Sequence, residues 1–158
     1  LLAQGMKVVG VELSEIAIKA LFDHLQLTPV IVNLGVVQHY SAPNLDIFVG
    51  DIFAVSAAML GPVHAVYDRA ALVALPTPLR DQYAAHLPQL SGAVPVLQVI
   101  FSYDQTQMDG PPFSITEAEL GRLYGHSYQL SMLETKAVPG GMRGKVPATE
   151  SAWLLMHR

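Results

Sequence analysis

Acidic residues stand where short apolar runs end. The run MKVVGVE closes on Glu12, LDIFV is followed by Gly50 and Asp51, and VHAVY is followed by Asp68 and Arg69. A carboxylate after a buried strand and before a helix is placed to accept two hydrogen bonds from a ribose diol, as acids do in nucleoside-binding α/β folds. Glu12 occupies such a position, with a solvated acid in the first helical turn as an equal alternative. Asp51 beside Ile52 sets a polar acceptor next to an apolar side chain, suited to the amino edge and the face of an adenine. A Gly-Asp turn with Ile52 in the core is the plainer reading. Asp68 and Arg69 bring charge to a third strand end, where a local Asp–Arg contact is the plainer reading. What weighs toward function is the recurrence, because one sheet would gather all three acids around a common crevice.

The elements that must position these residues follow from periodicity. A strand is predicted over 6–12, then a helix behind Ser14 with Ile16, Ala20 or Leu21, and Leu25 at helical spacing. Residues 30–40 read as a strand or hairpin arm, SAPN as a turn, and 45–49 and 63–67 as further strands. A short helical piece over 70–75 precedes a helix started by Pro78, with Tyr83, Leu87 and Leu90 on its apolar face. The strand at 94–101 is the most hydrophobic in the chain. A loop at 104–112, a helix capped by Thr116 and running to about Tyr124, and strands at 128–133 and 152–156 complete the pattern. This alternation predicts an open, mainly parallel α/β sheet with right-handed crossovers and a C-terminal meander. Ligands of such sheets bind beyond the carboxyl ends of the strands, which aligns Glu12, Asp51 and Asp68 along one rim.

Composition narrows the function. With 158 residues, 51% hydrophobic and 14% charged, the chain suits one domain with a substantial core. Thirteen acids against nine bases, scattered along the sequence, leave no basic stripe for nucleic acid. No apolar run approaches the roughly 20 residues that a membrane helix needs. With no Cys there is no disulfide, thiolate zinc site or cysteine nucleophile, and a cytoplasmic location is expected. The opening residues lack a basic n-region and a cleavage site, so they read as the middle of a domain. The six histidines lack metal-ligand spacing and no metal is expected. GGMRGK fails the phosphate-loop pattern, with Pro139 and Val146 where Gly and Ser or Thr are needed, and no GxSxG elbow occurs.

Five phrases then occur in a distinctive order: GMKVVGVELSEIAI, VGDIF, VYDRAALVALP, GPPFSITEAELGRLYG and ESAWLL. With FSYD between the third and fourth, they resemble the thiopurine S-methyltransferase family, in its bacterial form, over nearly the whole chain. The resemblance implies a class I, Rossmann-like methyltransferase domain over 1–158 that uses S-adenosyl-L-methionine. Glu12 would bind the ribose hydroxyls, Asp51 and Ile52 the adenine, and Arg69 would lie near cofactor and substrate. Arg69 would also be the catalytic residue, favouring the anionic thiolate or selenolate that attacks the methyl group. Arg143, in KAVPGGMRGKVP, is the nearest candidate for a second substrate arginine. The implied acceptor is a small thiol, such as a thiopurine, or a selenium or tellurium nucleophile, and the implied protein is a monomer. The sequence departs from the family in offering no counterpart to its first strand and glycine-containing turn, so the N-terminal part of the domain is expected to be absent. Related halide or thiol methyltransferases and a non-catalytic, nucleoside-binding remnant are the rival readings.

Overall fold

The computed structural model describes residues 1–158, whose Val- and Ile-rich runs pair as two four-stranded sheets. One sheet lies in each of two chain units, Leu1–Gly61 and Pro62–Arg158.

The first unit contains β1 (Val8–Glu12), α1 (Glu15–Leu25), β2 (Val30–Asn33), β3 (Gln38–Ala42), β4 (Leu45–Val49) and a short α2 (Ala57–Leu60), with strand order β1-β4-β3-β2. Ser14 starts α1 as expected, its hydroxyl accepting the Ala17 N–H at 3.2 Å. A side-chain cap of this kind stabilises a helix by about 1 kcal/mol. The buried stripe of α1 differs from the expected one. Ile16 is 82% exposed, while Ile18 and Phe22 pack on Tyr40, Leu45, Ile47 and Val49, flanked by Leu21 and Leu25. Both stripes have helical spacing, and the sheet selects the one carrying the aromatic ring.

The second unit contains β5 (Val66–Arg69), α3 (Thr77–Ser91), β6 (Val96–Tyr103), α4 (Glu117–Tyr124), β7 (Tyr128–Ala137) and β8 (Ala148–His157), ordered β5-β6-β8-β7. Tyr83, Leu87 and Leu90 form the buried face of α3, and the Thr116 hydroxyl accepts the Glu119 N–H at the start of α4, both as expected.

The α/β class stands, but the sheets are not mainly parallel. β1–β4 and β5–β6 are parallel, whereas β2–β3, β3–β4, β6–β8 and β7–β8 are antiparallel. Parallel pairing needs a long crossover, and residues 34–37, 43–44 and 138–147 instead return the chain as hairpins. β5 starts and ends later than expected, so Asp68 and Arg69 are its last two residues rather than its sequel. β7 and β8 are longer than expected because their outer halves, such as Glu134–Lys136, are polar and carry no apolar signature.

Candidate functional site

In the first unit the carboxyl ends of two adjacent parallel strands carry the candidate cofactor residues. Glu12 is paired with Val49, and the Gly50 N–H donates to the Glu12 carbonyl at 2.9 Å, which brings Asp51 to the same end of the sheet. The Glu12 Oε1 accepts the Ser14 N–H at 2.8 Å. Glu12 precedes the cap, so the first-turn acid is Glu15 and not Glu12. Glu15 is held below the ordinary carboxylate range by its hydrogen bonds from Lys19 and Tyr40. Asp51 caps the turn Ile52–Ala54, its Oδ1 accepting the Phe53 N–H at 3.0 Å. Asp51 is exposed and Ile52 only partly buried, outside the apolar cluster beneath α1. Each of the two carboxylates thus has one oxygen fixed by a backbone N–H and a second without a protein partner. Such an acceptor set suits hydroxyl and amino hydrogen-bond donors, with Ile52 offering an apolar surface.

The third expected acid leaves the rim. Asp68 is only 3% exposed, and its Oδ2 accepts the Tyr83 hydroxyl at 2.9 Å while Oδ1 accepts the Leu72 N–H at 3.4 Å. The Gln98 amide donates to the Asp68 carbonyl at 3.3 Å. Burial pushes the Asp68 carboxyl above its ordinary range, against the opposing hydrogen bonds from Tyr83, Leu72 and Gln98. Burial also pushes the Tyr83 hydroxyl well up, with the Asp68 charge adding to it. Asp68 therefore joins the end of β5 to α3 and to the turn Leu72–Ala74, and presents no carboxylate to a ligand.

Arg69 points the other way, because successive strand residues alternate faces. Its side chain is half exposed and its Nη2 donates to the Glu150 carboxylate at 3.3 Å. The expected Asp68–Arg69 contact is replaced by two separate pairs on opposite faces of β5. The Arg143 Nη2 donates to the Pro111 carbonyl at 3.0 Å, so the Gly-rich loop holds the GPPF segment. Beside that contact Met108, Met142, Val146 and Ala148 cluster with Phe101, Tyr103 and Val138. An open groove of about 760 Å³ lies at the end of β6 and the starts of α3 and α4, lined by Arg80, Tyr103, Gln105, Phe113, Ser114 and Glu119 among others. Neither Arg69 nor Arg143 lines it.

The polar roles of four residues were not visible in the sequence. Arg80 is buried, donating to the Leu75 carbonyl at 3.1 and 3.3 Å and to Glu119 at 3.2 Å, with its guanidinium 5.8 Å from the Phe113 ring centroid. Glu119 is held below its ordinary range by Arg122, and Arg80 adds to that against the cost of burial. Tyr83 and Glu150 complete the set. Only Glu150 had a signal, as the acid opening the ESAWLL phrase.

Known structures and sequences resolve what this arrangement belongs to. The fold is similar to a Burkholderia thailandensis 1,6-didemethyltoxoflavin-N1-methyltransferase solved with S-adenosylhomocysteine, at TM-score 0.59 and 15% identity, covering 98% of this chain and 64% of that one. It is also similar to the N-terminal domain of EvdMO1 with S-adenosylhomocysteine bound, at TM-score 0.58 and 13% identity, covering 99% and 68%. The fold is therefore the Rossmann-like α/β fold of S-adenosylmethionine-dependent methyltransferases. Residues 1–154 match the thiopurine S-methyltransferase (TPMT) family, and the chain belongs to that family. The thiopurine S-methyltransferase of Teredinibacter turnerae is 50% identical over 155 residues, covering 98% of this chain and 72% of the relative. That of Xanthobacter autotrophicus is 49% identical, covering 98% and 73%.

Proposed function

We propose that this protein transfers a methyl group from S-adenosyl-L-methionine to a small soft nucleophile, foremost a thiol of the thiopurine kind. The observation that carries this reading is the pair of carboxylates at the ends of β1 and β4, each with one oxygen fixed and one available. Glu12 would accept from a ribose diol, Asp51 from an adenine amino group, and Ile52 would lie against the ring. When bound, the cofactor supplies an electrophilic methyl group on a sulfonium sulfur. The chain's own contribution is to hold and orient both reactants and to favour the deprotonated acceptor. Arg69 does the last through its positive charge, and the acceptor's proton passes to solvent. Selenium and tellurium nucleophiles are acceptors by the same chemistry, being softer and more readily ionised than thiols.

The test begins with calorimetric titration of the folded protein with S-adenosylhomocysteine. Micromolar binding is expected, and Glu12→Ala should weaken it about tenfold or more, since the diol loses its acceptor. An unchanged dissociation constant would sink the Glu12 assignment. An absence of binding to the folded parent would favour the non-catalytic remnant. A panel of aromatic thiols, selenols, iodide and thiocyanate then separates a thiopurine-type enzyme from a halide-type one. Arg69→Ala should lower turnover on thiols while leaving the affinity for S-adenosylhomocysteine within a few fold. Kinetics equal to those of the parent would exclude Arg69 from the reaction.

A further inference from the structure

Arg69 does not stand alone on its face of the second sheet. In register, Arg69 faces Val99, Val99 faces Ala152, and Ala152 faces Glu134. Two residues further along β6, Phe101 faces Glu150, and Glu150 faces Lys136. An offset of two preserves the face of a strand, so Arg69, Glu150, Lys136 and Glu134 share one surface with Phe101. Their charges alternate, positive, negative, positive, negative. Lys136 pairs with Glu134 at 2.8 Å and also feels the Glu150 charge, while Glu150 itself pairs with Arg69 at 3.3 Å. That contact is long and single, using one of the five guanidinium N–H donors, and the two side chains are 56% and 37% exposed. A contact so exposed is too weak to staple strands together, and weak enough for an incoming anion to replace.

We propose that Glu150 is a specificity-determining residue: it neutralises Arg69 in the free protein and sets how strongly the site favours acceptors with a further negative charge. The inference rests on the reading of Arg69 as an acceptor-binding residue. An anionic acceptor has to displace Glu150 from the guanidinium or share it, whereas an uncharged acceptor does neither. Glu150 thereby handicaps charged acceptors relative to uncharged ones of equal shape. Removing its charge while keeping its size should relieve that handicap selectively.

The experiment compares 4-methylbenzenesulfonate with 4-methylbenzenesulfonamide, non-reacting aromatic ligands of nearly equal shape that differ in charge. Their dissociation constants are measured by ligand-observed NMR titration with the parent, Glu150→Gln, Glu150→Asp, Arg69→Met and the Glu150→Gln/Arg69→Met double variant, each first shown to be folded by circular dichroism. Glu150→Gln should tighten sulfonate binding about two- to fivefold, the range expected for an exposed ion pair, and leave the sulfonamide unchanged. Glu150→Asp, which keeps the charge, should behave as the parent, and Glu150→Gln should have no effect once Arg69 is Met. Equal tightening of both ligands, or no change in either while Arg69→Met still weakens the sulfonate, would overturn the role of Glu150 and leave that of Arg69 intact. A sulfonate that binds the parent no better than Arg69→Met would instead sink the Arg69 reading beneath it.

Discussion

Burial makes the charge on Asp68 costly. Its carboxyl lies above the ordinary range because burial disfavours the charged form, so the native state keeps a proton at pH values where the unfolded chain has lost it. Where the native state binds more protons, stability falls as pH rises. The contribution of Asp68 is therefore most favourable below the ordinary Asp value and declines as pH climbs through the native one. Glu15, Asp46 and Glu119 are shifted down and act in the opposite sense, so the comparison has to be differential. We expect the parent to gain stability relative to Asp68→Asn as pH is lowered from 7 to 4, read as the difference between their urea unfolding free energies. A difference independent of pH would show that Asp68 titrates normally. Asn keeps an acceptor for the Tyr83 hydroxyl, so the variant should fold.

At the scale of elements, the turns that carry the candidate site residues depend on a few positions with little freedom. Gly50 has φ 151°, and a Cβ there would lie 2.7 Å from the Val37 side chain and 3.3 Å from the Val36 carbonyl. Gly50→Ala should cost about 2 kcal/mol in chemical unfolding and weaken S-adenosylhomocysteine binding, because the same turn carries Asp51. Glu119→Ala leaves the buried Arg80 guanidinium without its carboxylate and should cost about 3 kcal/mol, measurable by the same unfolding experiment. Capped helices were legible in the sequence because Ser14 and Thr116 are local signals next to periodic runs. So was the placement of Glu12 and Asp51 at strand ends, since an apolar run closing on an acid is also local. The buried stripe of α1 was not legible, because Ile16 and Ile18 fit helical spacing equally and only β3 and β4 decide between them. The burial of Asp68 was illegible for a related reason. Its partner Tyr83 lies fifteen residues away on α3, and nothing near Asp68 marks it as an inward-facing residue.

For the molecule as a whole, composition suggests an ordinary globular chain, yet one edge is unguarded. β2 pairs only with β3, and Val30, Ile31 and Val32 on it, with Leu34 and Val36 just beyond, are exposed and uncharged. Natural edge strands usually carry Lys, Pro or a bulge against strand addition. Ile31→Lys should lower concentration-dependent light scattering of the purified protein without changing its far-ultraviolet circular dichroism, whereas unchanged scattering would absolve this edge. Global descriptors say nothing about such details, and β5 supplies the sharper case. Exchanging Asp68 and Arg69 would leave length, net charge and mean hydropathy identical. The exchange would nonetheless thrust a guanidinium into the space where the Tyr83 hydroxyl meets a carboxylate, and set two acids, Asp and Glu150, against each other on the open face. The information in this dipeptide lies in its order, so two chains indistinguishable by every bulk measure would differ in whether they fold.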